Sequence, residues 1–286
     1  MGRGRPTINI PFESIEIYLL NGFKVQEIAE LFGVGHQTIR RRMQSNGLSW
    51  RFVVHGGIDG FSRLIVYLSA ATNNRASTVL ESFIGGINKF GLPSCVRSDK
   101  GGENMEVSVF MVEHRGENRN SHITGRSVHN QRIERLWRDV YIQVLDPFHV
   151  VFPNLESKGM LNPDDENHLF ALHWTFLPQL QKQLAFFMDA WNHHSLRTAG
   201  SQSPYQLWAS FRNLEDPDEV EADYGIDWDG PYGFDDLGDQ REQVEVPQVE
   251  LQQHLTEEDM ASLPDPNVPF LDALDIYTAT LQQLMQ

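Results

Sequence analysis

Between Phe52 and Asp99 the chain carries two β runs joined across a Gly60 turn, then a helix, then a third short β run that ends on a carboxylate. That order constrains the fold more than any other feature. Phe52-Val53-Val54 with Ile58, and Leu64 to Ala71, flank Gly60-Phe61-Ser62-Arg63 and read as a hairpin. From Arg75 to Phe90, the residues Val79, Phe83, Ile87 and Phe90 recur on one helical face, and Gly91-Leu92-Pro93 stops the helix. Cys95 to Asp99 reads as a short buried strand. A helical stretch over Asn104 to His114, a short strand near His122-Ile123, a helix from near Asn130 and a long helix over about 166–194 follow. This β-β-α-β-α-β-α order predicts an α/β fold with helices packed against one mixed sheet.

The charge is segregated. Residues 213–286 carry 20 acidic side chains against one base, Arg241, while residues 1–212 carry 22 bases and 19 acids. The net charge of −16 therefore does not exclude a polyanionic partner. Three regions follow: 7–46, helical in pattern; 51–212, the α/β core; and 213–286, an acidic tail expected to be disordered. Within that tail, Val268 to Met285 is an amphipathic stretch suited to a protein partner, to competition with DNA for the basic front, or to nothing beyond solubility. No run of eighteen apolar residues occurs, so no membrane span is expected. One cysteine, Cys95, excludes an internal disulfide and a zinc site built on cysteines, and points to a reducing compartment.

The front reads as a helix-turn-helix. Phe12 to Leu20 and Val25 to Phe32 are helical, Gly33-Val34-Gly35 is a tight turn, and His36 to Met43 is a third helix ending in Arg40, Arg41 and Arg42. In that arrangement Gln37, Thr38, Arg40 and Arg41 reach base edges and phosphates of the major groove, and the Arg40 to Arg42 run favours phosphate contact. A three-helix bundle with a solvated basic face fits the same residues.

Two carboxylates stand out in the core. Asp99 closes a strand and precedes Lys100-Gly101-Gly102. Glu134 flanks the apolar stripe Ile133, Leu136, Trp137, Val140, Tyr141 and Val144, with Arg138 beside it and Arg132 and Arg135 further out. Two such carboxylates can share a hard divalent cation, and the arginines can hold a nucleic-acid backbone. Capping, or pairing with neighbouring arginines, is the structural alternative.

IDGFSRLIVYL (58–68), PSCVRSDKGGEN (93–104), TGRSVHNQRIERLWRDV (124–140) and the late SPYQLW (203–208) together resemble the retroviral-type integrase core. They are most similar to transposon-derived integrase core domain proteins of animals, in which a helix-turn-helix also precedes the core. The resemblance covers roughly 51–212. It implies a ribonuclease H-like fold, a triad of two aspartates and one glutamate holding two Mg2+ (or Mn2+) ions, and processing and strand transfer of DNA ends. It also implies DNA as partner, association of copies and a nuclear location. By the resemblance, Asp99 matches the second aspartate and Glu134 the glutamate.

The first aspartate has no position here. Its strand would precede the one matched by Arg51 to Ile58, and the helix-turn-helix already ends near Gly47. Asp59 matches the hairpin-turn aspartate, which is not a metal position in the family, and is a poor substitute. The absent strand would lie between those matched by 51–59 and 95–99. Without it, both neighbours hold unpaired backbone groups unless they pair directly. The expected outcomes are a rearranged sheet, a strand supplied by another chain, or a marginal domain. The functional expectation is a DNA-integration-class protein, catalytically impaired, with a non-enzymatic DNA-binding adapter as the rival. His193 and His194 are expected to cap a helix end, and Trp174, Trp191 and Trp208 to lie in the core.

Overall fold

The computed structural model describes residues 29–34, 50–99, 101–117, 119–125, 131–211, 246, 249, 251 and 255–285. The chain divides into two compact units, Met1–Arg51 and Phe52–Gln286. In the first, a helical turn ends in a Schellman cap: Val34 N donates to Ala29 O, Gly33 N donates to Glu30 O, and Gly33 takes φ +63°. This is the turn expected before the third helix. Gln37, Thr38, Arg40, Arg41 and Arg42 lie outside the described residues.

The second unit opens with the expected hairpin, β1 (Val53–Ile58) and β2 (Ile65–Ala71), paired antiparallel with a register shift at Gly57/Ile58. Its turn is locked by Asp59, whose Oδ2 accepts from Ser62 N at 2.7 Å and Ser62 Oγ at 2.6 Å. Helix α1 (Ala76–Phe90) follows, then β3 (Val96–Ser98), α2 (Met105–Arg115) and β4 (His122–Thr124). Strands β3 and β4 pair in parallel, Val96 with His122 through Ser98 with Thr124. Next come α3 (Gln131–Val140), a π-helical turn over Tyr141–Leu145, α4 (Asp146–Ser157), the long α5 (Glu166–His193) and the short α6 (Pro204–Phe211).

The expectation of one mixed sheet is corrected. The strands form two separate pairs, β1 with β2 and β3 with β4. Helices α1 and α2 join them instead: Val79, Phe83, Val107 and Met111 form one core, against which Tyr67 of β2 and Val96 of β3 both pack. The physical reason is visible at the strand edges. Leu68 O and Ala70 N of β2 turn outward to the Gln181 side chain of α5. Ser69 and Ala71 therefore bond to β1, and Val54 and Gly56 of β1 direct their backbone groups to the opposite edge. That edge is where one more strand would lie, and among the described residues no strand pairs with it.

Helix α5 organises the unit. Asp165 caps its start, its Oδ1 accepting from Asn167 N at 2.9 Å. Toward its C-terminal end Asn192 grips β2 with both ends of its amide. Ile65 N donates to Asn192 Oδ1 at 2.8 Å, and Asn192 Nδ2 donates to Ile65 O at 3.0 Å. Trp191 Nε1 donates to Arg63 O at 2.9 Å and holds the hairpin turn. His193 and His194 meet the carbonyls of Asp189 and Trp191, as expected for a helix end. Trp174, Trp191 and Trp208 are half-buried rather than core, because each lies where its helix meets solvent.

The tail is also corrected, over 255–285. Residues Glu257–Ser262 form α7, closed by a capping box between Thr256 and Asp259, and Ala273–Leu284 form α8. Helix α8 packs on α5 and buries Ala273, Tyr277, Thr280 and Leu284. Between the two helices, Trp174 Nε1 donates to Pro264 O, and Gln179 Nε2 donates to Pro266 O and Val268 O. Phe270 meets the rings of Phe148 and Phe176. The amphipathic stretch thus has a partner within its own chain. No helix among the described residues is long and apolar enough to cross a membrane.

Asn192→Ala leaves the buried N–H and C=O of Ile65 without partners and should lower unfolding free energy by about 2–4 kcal/mol in urea titration. A loss below about 1 kcal/mol would mean that water replaces the amide. Tyr277 is 1% exposed. Tyr277→Ala should cost about 3–5 kcal/mol in the same titration, whereas a disordered tail would show no change.

Candidate functional site

Asp99 stands directly after β3, where the parallel pair runs out. Its Oδ1 accepts from Asn104 Nδ2 at 3.0 Å and Gly101 N at 3.4 Å. The same Asn104 nitrogen reaches Glu103 Oε1 at 3.4 Å, so one amide bridges two carboxylates. A Cβ at Gly101 would stand 2.1 Å from Glu103 Oε1, so the Glu103 carboxylate folds over the glycine toward Asp99. Sequence reading passed over Glu103 and Asn104. The Gly101-Gly102 pair beside Asp99 was the available signal.

His55, buried on β1, was also missed. Its Nε2 lies 3.2 Å from Asn73 O. Burial pushes its pKa down from the ordinary 6.5, opposed by the Asn73 hydrogen bond and the Glu103 charge. His122 on β4, 3.3 Å from Ser98 Oγ, is also held below its ordinary value by burial.

Glu134 belongs to α3, and its side chain lies outside the described atoms. The helix itself is well placed. It buries Leu136 and Val140 and lays Trp137 across β1. A Cβ at Gly56 would meet Trp137 Cη2 at 2.8 Å, so the glycine permits this close crossing. Arg132 Nη1 lies 3.9 Å from the position of a Cβ at Gly60, which places this arginine at the hairpin turn. Arg135 and Arg138 are exposed on the outer face, with Arg138 Nε 3.8 Å from Asp139 Oδ1. Asp59 is spent on closing the hairpin through Ser62. Among the described residues no group of three His, Cys, Asp or Glu side chains converges as a metal site.

A model of the integrase core domain family matches residues 41–218, well over half of the chain. No curated protein matches it. Among solved structures, the HTLV-2 integrase catalytic core domain in complex with magnesium (trimeric form) aligns with a TM-score of 0.36 at 15% identity. The alignment covers 55% of this chain and 84% of that one.

The two depressed histidines give a pH dependence. Below about pH 6.5 the unfolded chain takes up protons that His55 and His122 refuse in the fold, so stability falls as pH drops. Urea midpoints at neutral and mildly acidic pH should show this loss, and His55→Gln should shrink it. An equal loss in the variant would remove His55 as a source.

Proposed function

We propose, for a chain that belongs to the integrase core domain family, that it binds DNA as a transposon-derived integrase-core protein whose phosphodiester chemistry is impaired. The family match carries this reading, because it spans both the strand that ends on Asp99 and the helix that holds Glu134. The helix-turn-helix residues Gln37, Thr38, Arg40, Arg41 and Arg42 read the major groove. Arg132, Arg135 and Arg138 hold phosphates along the core. Copies associate on DNA in the nucleus.

The donor set falls short of the two-ion arrangement the family uses. Asp99 and Glu134 can each offer a carboxylate to one Mg2+ or Mn2+, which would polarise a phosphodiester. In the family the third carboxylate belongs to a strand between those matched by β1 and β3, and among the described residues no strand lies there. Asp59 is a poor replacement, because its Oδ2 holds the hairpin turn through Ser62 N and Oγ. The split sheet also favours the rival reading, an adapter that binds DNA without cutting it.

Binding and nicking of labelled duplex DNA separate these readings. We expect duplex affinity that falls steeply with salt, and nicking in Mg2+ or Mn2+ that is at background. Asp99→Asn should leave binding intact. Robust metal-dependent nicking that vanishes in Asp99→Asn would overturn the impairment and make Glu103, beside Asp99, the next residue to change. Absence of duplex binding would overturn the reading as a whole.

A further inference from the structure

The motif SPYQLW (203–208) builds α6 and brings two aromatic rings toward the surface. Ser203 caps the helix: Gln206 N donates to Ser203 Oγ at 3.2 Å, and Ser203 N donates to Gln206 Oε1 at 2.9 Å. Pro204 opens the first turn and is buried. These residues account for the helix and its rigidity. The aromatics do not follow from it. Tyr205, Trp208 and Phe211 recur every third residue along α6, and Tyr205 and Phe211 are 43% and 45% exposed.

Three other elements bring rings to the same row. His193, at the end of α5, stacks on Tyr205 with centroids 5.6 Å apart. Phe90, at the end of α1, meets Trp208 edge-on at 5.3 Å. Phe61, in the hairpin turn and 59% exposed, meets Phe211 at 5.0 Å. Tyr205 and Trp208 lie 5.8 Å apart and link the His193 and Phe90 contacts, while Phe61 and Phe211 form a separate pair. Scattered exposed apolar side chains are ordinary on a protein surface, but four linked rings with a further ring pair at the far end of the same short helix are not.

Cations border the row. Lys89 Nζ lies 5.1 Å from the Phe90 ring centre, Arg63 reaches Thr198 beside the row, and Arg197 is exposed in the turn that leads to α6. The acid that touches the row, Asp189, sits 3.3 Å from His193. Exposed ring faces bordered by fixed positive charge match the chemistry of unpaired bases on a phosphate backbone. From Tyr205 to Phe211 the helix rises about 9 Å, the length of two to three stacked bases.

We propose that this aromatic row on α6 is a binding platform for single-stranded DNA, separate from the Asp99 region. The inference rests on the reading that the chain acts on DNA. Its work would be to hold a frayed or displaced strand. Stacking on rings reads no sequence, so the platform takes any base, with phosphates drawn to Lys89, Arg63 and Arg197.

The test measures fluorescence anisotropy of the full chain with labelled oligothymidylate and, in parallel, with blunt duplex. We expect Tyr205→Ala and Phe211→Ala each to weaken oligothymidylate binding about tenfold and to leave duplex affinity unchanged. Tyr205→Phe should retain affinity, because it keeps the ring. Lys89→Gln should flatten the salt dependence. Unchanged oligothymidylate affinity in the double variant that combines Tyr205→Ala with Phe211→Ala overturns the proposal, as does an equal loss on both DNAs. Self-association that the double variant abolishes, with oligothymidylate affinity intact, also overturns it and makes the row a protein contact. Failure on duplex with ring-dependent oligothymidylate binding refutes the proposed function alone and leaves the platform standing.

Discussion

The grip of Asn192 on Ile65 is the contact on which the core depends. A strand edge must have its backbone groups satisfied, by another strand, by water or by side chains. Here α5 supplies side chains in place of a strand. Asn192 takes both backbone groups of Ile65, and Gln181 takes Ala70 N and Leu68 O. These bonds orient the hairpin on the helix. They also fix which backbone groups of β1 face away, at the edge with which no described strand pairs.

From this follows the setting of the Asp99 region. Asp99 follows a two-stranded parallel pair three residues long, not the interior of a broad sheet. Its surroundings are assembled locally, by Gly101, Glu103 and Asn104 within one loop. Trp137 presses on Gly56 and ties α3 to β1. The region keeps its scaffold on both flanks, and the piece that would join them is the strand that carries the first carboxylate in the family.

Much of this was legible in the residues. The Gly60 turn, the apolar face of α1 and the strand ending on Asp99 follow from period and punctuation, which are local. The length of α5 was also readable from its spacing. The partners of α5 were not. Asn192 and Gln181 act across more than 100 residues of chain, and a polar residue on a helix gives no sign of which distant backbone it serves. The tail misled for a different reason. Its acidity suggested disorder, while its buried positions Ala273, Tyr277, Thr280 and Leu284 include two residues that do not register as apolar anchors. The receptor, Trp174 and Gln179 on α5, reads proline carbonyls, which sequence hides entirely. The strand expected between β1 and β3 was flagged because its two neighbours would need a partner, and among the described residues none pairs there.

The strap over Pro264 to Val268 also bears on the order of events during synthesis. Helix α5 is made long before the residues that cover it. Until 264–284 leave the ribosome, Phe176, Gln179 and the face that receives Tyr277 stay open to water. The hairpin half of α5 has its partners early, since β2 precedes it in the chain. One helix thus matures in two stages, its C-terminal half first. In the interval, a nascent chain shows an apolar helix face with amide and indole donors ready for any extended, proline-bearing segment nearby, including one from a neighbouring nascent copy.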